Sequence, residues 1–130
     1  MIEVEMAATG SLGVLQGRSL RTTVLVDSGA DVTMLDGGLA TTLGLDLTDA
    51  RYPRDVVGGV GSGGVPVATA LVKMSLCGRW VDVPVNFTLQ PMTNPPLLGR
   101  AGAFDALVIS FLHRQRVVLG AAARGATRSR

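Results

Sequence analysis

Residues 22–35, Thr-Thr-Val-Leu-Val-Asp-Ser-Gly-Ala-Asp-Val-Thr-Met-Leu, constrain this chain more than any other stretch. Val24-Leu25-Val26 is a short apolar run rich in β-branched residues, the pattern of a buried strand. At Asp27 the polarity switches abruptly. A carboxylate at the end of a buried strand must be hydrogen-bonded or paired, or it stays protonated. The following residues can meet that need. Ser28 offers a hydroxyl, Gly29 lets the backbone turn its N–H toward the carboxylate, and Ala30 permits close approach. Asp31 and Thr33 add further polar groups. Taken alone, the stretch also suits an Asx-type turn in which Asp27 merely caps the backbone.

The rest of the chain reads as β structure. At 130 residues it suits one domain with a real core. Residues 2–6 alternate apolar and charged, and residues 18–26 form the returning strand that delivers Asp27. Between them, residues 7–17 read as a hairpin connection or short strand. Leu35, Leu39 and Leu43 recur at helical spacing, with Asp36 as N-cap and Gly44 as stop. Residues 45–55 are polar and turn-rich. Residues 68–76 and 80–89 form a hairpin pattern around Cys77-Gly78-Arg79. In its second arm Val81, Val83, Val85 and Phe87 alternate with Asp82, Pro84, Asn86 and Thr88, and Pro84 marks an edge or a bulge. Trp80 reads as a packing residue. Residues 107–112 and 116–119 read as two further strands.

Residues 57–65 are glycine-rich, and Gly59 to Gly64 formally match the dinucleotide pattern G-x-G-x-x-G. That pattern needs a helix opening at its last glycine. Here residues 65–72 alternate or are β-branched, and Pro66 has no N–H to give, so a flexible hairpin is the favoured reading. Ser62 is not in a G-x-S-x-G elbow, because residue 60 is Val.

Val-Asp-Ser-Gly-Ala-Asp-Val-Thr resembles the active-site loop of the retropepsin-like aspartic proteases, the single-domain, homodimeric relatives of pepsin. A second segment strengthens the likeness. Leu97-Leu98-Gly99-Arg100 is similar to the apolar-apolar-Gly-Arg element that precedes the family's C-terminal helix. This chain departs from the family in having Ala101 where Asp or Asn is usual, and Gly102 weakens the helix. The resemblance spans residues 2–120. It implies a mostly β fold: a closed pepsin-like barrel with a ψ-loop, a flap hairpin and one or two short helices. Residues 1–120 would be the protease domain and 121–130 a disordered tail.

By that resemblance the chain would be an aspartic endopeptidase, with Asp27 catalytic and one Asp27 supplied by each subunit of a homodimer. Gly29 N–H would hold the carboxylate, Ser28 would hydrogen-bond across the two-fold axis, and Ala30 would complete the loop. Asp31 would help dock an extended peptide or unfolded protein and would pair with Arg100. The flap, Gly59, Val60, Gly61, Ser62 and Gly63, would cover the substrate, its tip residue not being fixed by the sequence. The alternative is a catalytically silent peptide-binding or dimerisation module that keeps the barrel.

Composition narrows the partners. Few aromatics argue against a base-stacking surface for nucleic acid. The net charge of +2 owes much to Arg114, Arg116, Arg124, Arg128 and Arg130, which read as a solvated tail. Cys77 is the only cysteine and His113 the only histidine, so no internal disulfide forms and no Cys/His metal site is expected. Cys77 reads as an inert buried thiol, and His113 carries no motif. No cofactor is implied. The long uncharged stretch over residues 56–72 is broken by glycines and Pro66, so no membrane span is expected and a cytoplasmic location is the expectation.

Overall fold

The computed structural model describes residues 1–9, 15–58, 63–92, 95–104, 107–112 and 116–121, with backbone alone for residues 9, 15–18, 107–112 and 116–121. In chain order the elements are β1 (Ile2–Thr9), β2 (Leu15–Val26), β3 (Thr33–Asp36), α1 (Gly37–Thr42), β4 (Arg54–Val57), β5 (Val65–Leu76), β6 (Arg79–Thr88), β7 (Leu97–Leu98), β8 (Leu107–Leu112) and β9 (Arg116–Ala121).

The β5/β6 hairpin is the longest ladder, running from Val67↔Thr88 to Leu76↔Arg79. Alternation explains why it is buried on one face. Ala70, Val72, Met74 and Leu76 turn inward, as do Val83, Val85 and Phe87. A two-residue turn, Cys77-Gly78, joins the arms with φ of 51° and 77°. Positive φ at both centres is the type I′ geometry that matches strand twist. This placement corrects the reading of Cys77 as a buried thiol: at the hairpin tip it is exposed. Trp80 is 42% exposed beside the same turn, so it packs only in part.

The seven-stranded sheet has the order β1-β2-β7-β3-β6-β5-β4, and β1 also pairs with β5. Six strands therefore close into a barrel, with β4 added outside on β5. The length of β5 makes this possible. Residues near its start pair with β4, from Arg54↔Ala68 to Val57↔Val65, and residues near its end pair with β1, from Glu5↔Ser75 to Ala7↔Lys73. Closure removes the free edges of the main sheet. The interior holds Val4, Met6, Val24, Leu35, Leu43, Phe87 and Leu98, each no more than 2% exposed.

Two sequence expectations shift. Leu35 belongs to β3 rather than to the helix; α1 starts after Asp36, which caps it by accepting Gly38 N–H at 2.7 Å. Pro84 sits inside β6, opposite Leu71, just before the β3–β6 ladder opens at Val85. On that side its missing N–H interrupts no ladder. There Gly102, at φ 74°, lies against β6 so closely that an added Cβ would come 2.6 Å from Asp82 O. Residues 101–104 form a turn closed by Phe104 N–H to Arg100 O at 3.0 Å. β8 and β9 form their own two-stranded sheet. Most of the expected tail, residues 122–130, lies outside the described residues, as does His113.

Candidate active site

β2 and β3 are consecutive strands, yet they do not pair. β7 lies between them, parallel to β2 through Leu25↔Leu97 and Val26↔Leu98 and antiparallel to β3 through Met34↔Leu97. This is a ψ-loop. It forces residues 27–32 to arch over β7 as a wide loop instead of a tight turn. Asp27 leaves the ladder at its last rung, with its N–H donating to Leu98 O at 3.1 Å.

The loop is then fastened by its own backbone. Gly29 N–H donates to Asp27 Oδ1 at 2.9 Å, and Ala30 N–H donates to Asp27 O at 3.2 Å. Asp27 is half-buried, Ser28 is exposed and Ala30 half-buried. A carboxylate held by an amide is fixed in direction while its second oxygen is left for other partners.

The segment after β7 locks the far side of the arch. Arg100 N–H donates to Ala30 O and Ala101 N–H to Asp31 O, both at 2.9 Å. Ala101 thus contributes through its backbone, which any residue but proline supplies. The Arg100 guanidinium donates to the Asp31 carboxylate, and both side chains are exposed. Such an exposed pair adds little stability by itself; the two backbone bonds beside it do the holding. Gly99 N–H donates to the buried Thr33 Oγ1 at 3.0 Å. Gly99 passes so near the arch that a Cβ there would lie 2.4 Å from Val32 C and 2.7 Å from Val32 O. Only glycine fits at this crossing.

Beside the arch opens a groove of about 940 Å³. Gly29, Ala30 and Asp31 line one wall. Asp55, Val57, Gly58, Gly64 and Val65 line the other, from the β4–β5 hairpin. Asn86 and Thr69 sit in its lining, joined by a 2.6 Å hydrogen bond from Thr69 Oγ1. Of the flap residues read from sequence, Gly63 is exposed at φ 81°, while Gly59, Val60, Gly61 and Ser62 lie outside the described residues. Gly64 leads into strand β5 and not into a helix, so the G-x-G-x-x-G match has no dinucleotide-binding context.

Residues 13–101 match the family model described as aspartyl protease. The chain belongs to the aspartyl protease family. The match takes in the arch around Asp27, the β4–β5 hairpin and β7, and it ends at Ala101, the last residue to bond the arch. Among solved structures, EIAV protease complexed with the inhibitor HBY-793 is similar at 28% identity over 63% of this chain and 71% of that one, with a TM-score of 0.46. No curated protein matches.

Two features in and around this candidate site have no plain signal in the sequence. Asn86 and Thr88 alternate with apolar residues and read as outward-facing, yet both are buried, because β3 pairs alongside them on β6 and the groove lies over Asn86. Asp36 does more than cap α1: its other oxygen accepts Met92 N–H at 2.9 Å, tying the loop after β6 to the helix start. The only local signal for that bond was Asp36 itself. Among the described residues no group of His, Cys, Asp and Glu is placed to hold a metal ion, and no helix is long and apolar enough to cross a membrane.

Proposed function

We propose that residues 1–120 act as an aspartic endopeptidase, cutting extended peptides or unfolded protein with a water held between two Asp27 carboxyls, one from each subunit of a homodimer. The observation that carries this is the Gly29 N–H bond to Asp27 Oδ1, made by a glycine that lines the groove. A carboxylate fixed by that amide would be ready to meet the same group of a symmetry mate.

The chemistry requires the pair. Hydrolysis needs one carboxylate to accept the water's proton and one carboxylic acid to assist the carbonyl oxygen. Two carboxyls about 3 Å apart enforce that division, since both cannot ionise together and they share one proton. The proton belongs to the pair, so mildly acid conditions suit the reaction. One chain carries one Asp-Ser-Gly, and two-fold symmetry supplies the second. Ser28, exposed beside Asp27, would bond across the axis, and Asp31 would take the substrate backbone. The substrate would lie extended between flap and arch, adding a strand-like segment.

Asp27→Asn tests this directly. Cleavage of an unfolded protein at mildly acid pH is expected to vanish while the dimer stays folded; undiminished cleavage would sink the proposal. A silent peptide-binding module is the alternative outcome. It would neither cleave nor gain thermal stability from a pepstatin-like transition-state mimic.

A further inference from the structure

Resting on that reading of the groove as a peptide cleft, we infer that Asp55 makes it selective for substrates carrying a lysine or arginine on the arm that lies beneath β4. The argument starts from strand alternation. Asp55 and Val57 are two residues apart on β4, so their side chains share a face, and both line the groove. Val56 and Arg54 face the other way. Arg54 accordingly reaches Leu47 O at 3.0 Å, and Val56 does not line the groove. The Asp55 carboxylate is thus turned to the substrate side by the register of the flap strand.

Among the described residues no cation offsets its charge there. The described lining contains two acidic residues, Asp31 and Asp55, and no lysine or arginine. Asp31 is engaged by Arg100. Among the described residues, Asp55 accepts only the neighbouring Val56 N–H, at 2.7 Å, and no salt bridge reaches it. This stands against the whole chain, which carries a net charge of +2. The other side chains of the described lining are uncharged, among them Val32, Met34, Leu97, Thr69 and Asn86. A carboxylate at the rim of such a groove attracts a cation on a long flexible stem and repels a second carboxylate. In a symmetric dimer each half brings one Asp55, so basic residues are favoured on both sides of the scissile bond.

The test uses decapeptides with an apolar pair at the centre, each flanking position in turn being Lys, Ala or Glu. Binding is measured by fluorescence anisotropy on the full-length Asp27→Asn chain, and cleavage on the wild type. At one or two flanking positions Lys is expected to outperform Ala by about three- to tenfold and Glu to fall below Ala, with the preference shrinking in high salt. Asp55→Asn should erase the Lys-to-Ala ratio, and Asp55→Lys should reverse the ranking toward Glu. A charge ranking that persists in Asp55→Asn, or no ranking in the wild type, overturns the inference while leaving peptide hydrolysis standing. No cleavage, but an Asp55-dependent ranking in binding, sustains the inference and removes the protease reading instead.

Discussion

At the scale of single residues, the arch around Asp27 depends on one atom that is missing. Gly99 runs beneath Val32 and Thr33 where a Cβ would be 2.4 to 2.8 Å from three backbone atoms. Backbone cannot step aside as a flexible side chain can, so Gly99→Ala must push the two crossing segments apart. Overpacking of this kind costs about 3 kcal/mol. The expected result is a melting temperature lowered by on the order of 10 °C, together with loss of any peptide hydrolysis, because the displaced segment is the one whose amides hold Ala30 and Asp31. Unchanged melting in that variant would mean the crossing is looser than described. The sequence displayed Gly99 only as part of a short motif. The reason for the glycine lies in a contact across the chain, which no local pattern encodes. The same holds for Thr33, whose hydroxyl accepts the Gly99 N–H.

At the scale of elements, strands were legible where alternation is clean, and their ends were not. β5 and β6 follow from the residues themselves, and the Cys77-Gly78 turn was visible as an interruption. What could not be read was which faces of β6 are covered, since Asn86 and Thr88 are buried by strands far away in sequence. α1 shows a related limit. Its leucine spacing starts one element too early, because a β3 residue and a helix residue can share a period by coincidence. The cap, however, was plain, and it supports a pH prediction. The Asp36 carboxyl is held below its ordinary value of 3.8 chiefly by the Met92 N–H and then by the Gly38 N–H, against a small opposing effect of burial. As pH falls, the unfolded chain takes up this proton before the native one does. The stabilisation is therefore complete above about pH 4 and is lost as pH drops through the lower native value. Asp36→Ala should cost about 1 kcal/mol at pH 6, the ordinary worth of such a cap. That difference should persist at pH 5 and shrink below pH 4. Denaturant melts of both proteins across this range check it; a constant difference down to pH 2.5 would contradict it.

At the scale of the whole molecule, the barrel and the proposed dimer have separate sources of stability. The β1–β5 ladder closes the barrel within one chain, so a lone subunit keeps all six strands paired. β8 and β9 are different. They pair with each other as a two-stranded sheet, and an isolated hairpin of six-residue strands is marginal in water. Among the described residues no third strand pairs with either outer edge, and an open edge of this kind is a template for another chain. If two subunits associate, two such hairpins are available to form one larger sheet. Amide hydrogen exchange then separates the two sources. The amides of 107–112 and 116–121 should be protected only at protein concentrations where sedimentation shows a dimer, and should exchange rapidly on dilution. The amides of β5 and β6 should stay protected at both concentrations, because their partners belong to the same subunit. Equal protection of the β8–β9 hairpin in a dilute monomer would show that it is stabilised within its own chain, and the dimer would then have to be built from some other surface.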